Sequence, residues 1–231
     1  MRIILIGAPG AGKTAVAQAV KKRWREEVLK PLQAQEVVMP WWHDDLTVEV
    51  LDDYEKGIEG LGLEVGEKAS FRTGVAMHFE HMRQREGVGT SVPSIACGSG
   101  LERLAHSAAH MQRMATSLSA STPQVQAALV QEQGAMPVLS MLMMDAWEAN
   151  YAFYLPLVAS TIITPTSMGA SFATTVDLAI QDAMGSFGME VQVLQGDDDA
   201  KASEVIKTLV ELEPKRVAQL KEAERGTDNA D

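Results

Sequence analysis

Hydrophobic and polar positions follow two rhythms along this chain. The opening RIILIG is a short continuous apolar run, the pattern of a strand buried on both faces. Residues 13–29, KTAVAQAVKKRWREEVL, switch to helical spacing, with Val16, Ala19, Val20 and Trp24 on one stripe. A second strand is expected at TVEVLDD (47–53) in preference to EVVM (36–39), because its β-branched residues end on paired acids. Residues 66–86 predict a helix with Phe71, Val75, Phe79 and Met82 as its apolar face, SVPSIACGSG (91–100) a strand and turn, and LERLAHSAAHMQRMA another helix. Two helices are expected next. One starts at the cap-like STPQ, and the other at Pro137, whose missing N–H suits a first helical position. The strand NYAFYLPLV (150–158), the helix FATTVDLAIQDAMGSFG, the strand MEVQVLQG (189–196) and a last helix from Lys201 complete the series.

Strands alternating with helices predict an α/β fold whose parallel sheet is covered by helices on both faces. A chain of 231 residues fits one large domain, expected over residues 1–212, with 213–231 as a terminal helix and acidic tail. No internal repeat is visible, and low complexity is confined to the last few residues.

Composition narrows the function classes. A net charge of −11 repels nucleic acid at long range and disfavours general DNA or RNA binding. Basic residues at KKRWR (21–25) and acids at GDDDAK and GTDNAD read as solvated faces. No apolar stretch approaches the roughly 20 residues of a membrane span, and the first residues lack the pattern of a signal peptide, so a soluble cytoplasmic protein is expected. Cys97 is the single cysteine, which excludes an internal disulfide or thiolate metal cage; its place on a predicted central strand reads as a buried structural thiol.

The stretch GAPGAGKT, residues 7–14, changes the picture most. It fits the phosphate-binding loop G-x-x-x-x-G-K-[ST] and lies between a predicted strand and a predicted helix, the context that motif requires. Gly7, Gly10 and Gly12 let backbone N–H groups turn inward around an anion, with Ala8, Pro9, Ala11 and Ala15 completing the loop and the helix start. The helix adds its positive end. Lys13 is expected to reach the β- and γ-phosphates of a nucleoside triphosphate, and the Thr14 hydroxyl to ligate Mg²⁺. The motif alone serves kinases, ATPases, GTPases and motors. No guanine-reading Asn-Lys-x-Asp stretch is present, which leans toward ATP.

GAPGAGKTAVA, VLDDYEKGIEGLGLEVG, SIACGSGLERLAH and FGMEVQVLQGDDDAKASEVIKTL occur in one order. Together they resemble the small P-loop kinase-like ATPases related to nicotinamide-riboside kinase and, more distantly, thymidylate kinase, including bacteriophage versions. The resemblance implies a single-domain three-layer fold with about five parallel strands. It also implies ATP and Mg²⁺ as cofactors and a small nucleoside or nucleotide as phosphoryl acceptor. It makes Gly196–Lys201 a base-binding turn, and Asp52 and Asp53 the acids that contact the acceptor and serve as general base. A carboxylate there can accept a hydroxyl proton while the γ-phosphoryl passes in line; paired acids at a strand end also cap helices or face water.

Two departures from the family pattern leave other readings open. The third strand ends in ACGSGLER with no acid before Glu102, where an Asp-Arg pair is usual; Glu102 and Arg103 offer a substitute from the next helix. Residues 164–184, the place of the lid, contain no Lys or Arg. A source of positive charge is offered by two stripes, Arg103, His106, His110 and Arg113 on one helix and His78, His81 and Arg85 on another, if they face the phosphate loop and not solvent. Asp145 closes the methionine-rich run PVLSMLMMD and imitates a magnesium-holding acid, although the run reads as a buried helix. Trp41 and Trp42 in PWWHDD read as core or interface residues before base-stacking ones, and the methionines of 136–144 as core or a contact between copies of the chain. The readings are therefore a small-molecule kinase, a regulatory or assembly ATPase without an acceptor, and a nucleotide-binding protein that acts through partners.

Overall fold

The computed structural model describes residues 1–37, 42, 46–52, 54–66, 69–89, 91–116, 122–142, 149–157 and 169–227, with backbone alone at 59, 135–142 and 224–227. Asp53, Asp145, Trp41 and His43 lie outside the described residues.

The apolar run at the start forms β1 (Arg2–Ile6), the middle of a five-stranded sheet. β2 (Glu49–Leu51) and β3 (Ser94–Cys97) lie to one side and β4 (Tyr151–Tyr154) and β5 (Gln192–Val193) to the other, in the order β2-β3-β1-β4-β5, all parallel. Ile3 pairs with Ile95 and Tyr151, and Leu5 with Cys97 and Phe153. Successive side chains of a strand point to opposite faces, so β1 feeds two cores. Ile3 and Leu5 join one core with Val16, Val20, Trp24 and Leu209, whereas Ile4 and Ile6 join the other with Leu101, Leu104, Phe172 and Ile180. The result is a three-layer α/β sandwich.

Helices α1 (Lys13–Trp24), α2 (Lys30–Ala34) and α8 (Asp198–Thr227) cover the first face. The other face holds α3 (Tyr54–Ile58), α4 (Phe71–Val88), α5 (Gly100–Thr116), α6 (Pro123–Leu142) and α7 (Ala170–Ser186). Between α1 and α2 the helix widens into one π turn at Arg25–Leu29. Pro31 follows within the first turn of α2, where a regular α path would drive its ring into the carbonyl four residues earlier.

Three local expectations are corrected. The strand expected over 189–196 pairs only at Gln192–Val193, although Leu194 N–H still donates to Tyr154 O at 2.8 Å; β5 is an edge strand whose sole neighbour in the sheet is the four-residue β4. Pro137 does not begin a helix but falls inside α6, which runs through it at the loss of one N–H donor. The apolar face expected for α4 is only partly buried: Phe71 and Val75 pack against the second core, but Phe79 is 64% exposed, and the buried positions are Thr73, Gly74, His78, Glu80 and His81.

At the far end of the sheet, Glu213 is fully buried. It accepts hydrogen bonds from Tyr151 Oη at 2.7 Å and from Arg216 Nε and Nη2 at 2.6 and 2.5 Å. This network and the buried Val217 fasten the second half of α8 to the body of the protein, and α8 continues unbroken across residues 212 and 213. No helix among the described residues is long and apolar enough to cross a membrane.

Candidate functional site

The chain leaves β1 at the point where the sheet order switches sides, since β1 lies between β3 and β4. Loops at the carboxyl ends of strands flank a crevice at such a point. Residues 7–12 fill it. Gly10 and Gly12 have φ of +89° and +87°, which other L-residues rarely adopt. A Cβ on Gly7 would meet Leu155 O at 2.6 Å, and one on Gly12 would meet Asp198 Oδ1 at 2.9 Å. The N-terminus of α1 has no side-chain cap and no acid in its first turn. The first amides of an α-helix have no partner within the helix.

Lys13 curls back over the loop. Its Nζ donates to Gly7 O at 2.5 Å and Ala8 O at 3.2 Å, and lies 3.5 Å from Glu102 Oε2. The other oxygen of Glu102 accepts the Gly7 N–H at 2.9 Å. A side chain 95 residues away therefore closes onto both ends of the glycine loop. Burial pushes the Glu102 carboxyl up, and Lys13 and the Gly7 N–H oppose that shift. Gly98, with φ of +121°, makes the approach feasible: a Cβ there would stand 2.9 Å from Glu102 Oε2.

Beside Lys13 opens a cavity of about 190 Å³ whose wall includes Tyr54, Cys97, Ser99, Glu102, Arg103 and His106. Tyr54 donates its hydroxyl to Leu51 O at 2.8 Å, stacks on His81 with ring centroids 5.1 Å apart, and has the Arg103 guanidinium 5.2 Å from its ring centroid. His106 Nε2 donates to Gly66 O at 2.9 Å, since a carbonyl can only accept. Burial pulls this imidazole down to about 4, so it is neutral at pH 7. Burial also pushes the Cys97 thiol up to about 12, which leaves it an unreactive structural group.

The two basic stripes divide. Arg103, His78 and His81 are buried, and Arg103 and His106 share the cavity with Lys13. Arg113 lies farther along α5, over the ring of Phe172. The solvated-face reading therefore fails for the first half of the α5 stripe and for the inward histidines of α4. Asp52 follows Leu51, which pairs with Ala96, and its charge bears on both Tyr54 and Cys97. It is not among the described residues that line the cavity. The run KKRWR is a paired surface: Lys21 meets Glu49, and Arg23 meets Glu27 and Ser203.

The turn after β5 stands against the start of α1. Asp197 caps α8 by accepting the Ala200 N–H at 2.8 Å, and the buried Lys201 lies 4.0 Å from Asp198, the residue that faces Gly12. Thr14 is exposed on the first turn of α1. Among the described residues no group of three or more His, Cys, Asp or Glu could by itself hold a metal.

Tyr54 and Ser99 were not singled out by sequence. For Ser99 a signal existed: a serine flanked by two glycines between a strand and a helix.

No protein-family model matches the sequence, and no curated protein is similar to it at the sequence level. Similarity appears in the fold. A solved structure of the NadR protein in complex with NR superposes with a TM-score of 0.58 at 8% identity, covering 91% of this chain and 50% of that one. The chain thus spans about half the length of that relative. A deoxyadenosine kinase from M. mycoides with bound dATP matches at a TM-score of 0.46 and 12% identity, covering 94% of this chain and all of that one. The likeness is one of fold: a five-stranded parallel sheet between two layers of helices.

Proposed function

We propose that this protein is a phosphotransferase that binds ATP with Mg²⁺ in the loop Gly7–Thr14 and transfers the γ-phosphoryl group to a small hydroxyl-bearing acceptor. The observation that carries the reading is the position of Lys13, whose ammonium bonds the glycine loop and whose side chain lines a cavity shared with a buried arginine. A phosphate held by the loop faces directly into a space of small-molecule size.

The amides of the loop and of the first turn of α1 bind the phosphates. Lys13 exchanges its carbonyl partners for phosphate oxygens and neutralises charge as it builds on the migrating group. Arg103, in the same cavity wall, supplies further positive charge, the role left open by α7, which contains no Lys or Arg. Thr14 would hold Mg²⁺, which when bound would offset the negative charge of the phosphates. Asp52, the residue after β2, or Asp53, next in sequence, orients the acceptor hydroxyl and takes its proton. The fold likeness to a protein solved with NR supports a nucleoside-type acceptor.

The test is ADP release from ATP and Mg²⁺ in the presence of nucleosides, nucleotides and nicotinamide riboside. Release that depends on an acceptor and disappears in Lys13→Ala is expected. Retention of nucleotide binding in Lys13→Ala would remove the phosphate-loop assignment.

A second reading, a P-loop ATPase of regulatory or assembly function, is favoured by one observation: β3 ends in Gly98-Ser99-Gly100 without an acid, and α7 offers no cation. Acceptor-independent ADP release would select it.

A further inference from the structure

Ser99 is the last residue before α5, a 17-residue helix, and its side chain is fully buried. Its hydroxyl has no hydrogen-bond partner among the described residues, although it lines the same cavity as Lys13 and Arg103. A buried hydroxyl left unpaired costs about 1–3 kcal/mol, so a partner supplied from the cavity would recover a substantial free energy. A serine at a helix start commonly bonds its own first turn; this one does not. The positive end of the α5 backbone dipole lies at the same place.

The charged groups of the cavity wall are Lys13, Arg103, Glu102 and Glu55. Glu55 is exposed, and Glu102 is turned to Gly7 and Lys13. Arg103 is buried among these groups.

We propose that Ser99 and the first turn of α5 form a second oxyanion seat, distinct from the glycine loop, in which the Ser99 hydroxyl donates to a phosphate oxygen. This rests on the phosphate-loop reading for the entry of the anion. The oxygen belongs either to the γ-phosphoryl group of the donor nucleotide or to a phosphate already carried by the acceptor; the chemistry of the seat is the same.

Calorimetric titration of the full chain with Mg²⁺ separates these sources. Wild type, Ser99→Ala and Ser99→Thr are titrated with ATP, ADP, AMP and dTMP. A five- to tenfold loss of ATP affinity in Ser99→Ala, with ADP unchanged, supports the seat and identifies the γ-phosphoryl as its occupant. The same loss for AMP or dTMP supports the seat with an acceptor phosphate. Ser99→Thr, which keeps the hydroxyl, restores binding in either case. Equal affinities of wild type and Ser99→Ala for every ligand that binds would overturn the proposal alone. Failure of wild type to bind any of the four removes the phosphate-loop reading and this one with it. The unliganded melting temperature is a second readout. Ser99→Ala is expected to melt no lower than wild type, since its hydroxyl makes no bond to lose; a marked drop would make the hydroxyl structural and overturn the seat.

Discussion

Glu102 and Lys13 hold each other at 3.5 Å in the wall of the cavity, while the second oxygen of the same carboxylate accepts the Gly7 N–H. An internal carboxylate thus takes up the lysine and one loop amide. It must yield the lysine when a phosphate arrives, because one ammonium cannot keep all its present partners and also reach the ligand. Glu102→Gln is expected to bind pyrophosphate three- to tenfold more tightly than wild type without divalent cation, as measured by calorimetry. Weaker binding by the variant would show that Glu102 aids the loop instead of competing for it.

Gly98 permits that contact through its positive φ and its missing side chain. Gly98→Ala places a methyl group 2.9 Å from the Glu102 carboxylate in a backbone conformation that costs about 1–3 kcal/mol for a non-glycine residue. Urea unfolding should report a loss of that order. An unchanged midpoint would mean that the turn relaxes freely.

At the opposite end of the sheet, Glu213 is an acceptor for Tyr151 and Arg216 with no exposure to water. Glu213→Ala leaves those donors without their carboxylate, and breaking a buried pair in this way costs about 3–5 kcal/mol. Nucleotide affinity of the folded fraction should stay at the wild-type value, because Tyr151 opens β4 at the end far from the loop. A stability change below about 1 kcal/mol would contradict the burial of this network.

His106 gives the protein a pH dependence of known sign. Burial lowers its pKa to about 4, partly opposed by the bond to Gly66 O and assisted by neighbouring His110, against about 6.5 when unfolded. The unfolded chain therefore binds the proton more readily between those values. The contribution is complete above pH 6.5 and is lost as pH falls toward 4, amounting to roughly 3 kcal/mol. His106→Asn should flatten the fall in stability between about pH 6.5 and 4.5. Identical slopes for the two proteins would mean that His106 titrates normally.

The parts legible in sequence are those set by local chemistry. RIILIG announces a buried strand because both faces of β1 are covered, and GAPGAGKT announces its loop because positive φ at Gly10 and Gly12 admits few other residues. Cys97 reads as a buried thiol because its strand, β3, is an interior one, flanked by β2 and β1. Glu102 was visible only as a distant substitute acid, since nothing near it in sequence indicates that Gly7 and Lys13 are its partners. The facing of α4 was misread in part because hydropathy ranks Phe79 above His81, whereas His78 and His81 are buried and Gly74 and Met77 line the cavity. Packing against Tyr54 outweighs the preference of an aromatic ring for the interior at this helix.

That inversion has a consequence for how the protein tolerates change. Along α4 the conspicuous greasy position, Phe79, points to water and should accept serine or lysine with little penalty, while the modest polar neighbours His78 and His81 should resist nearly every replacement. A saturation screen of this helix would therefore return a tolerance map that departs from its hydropathy profile at these three positions, and the intolerance of His81 would mark its packing on Tyr54.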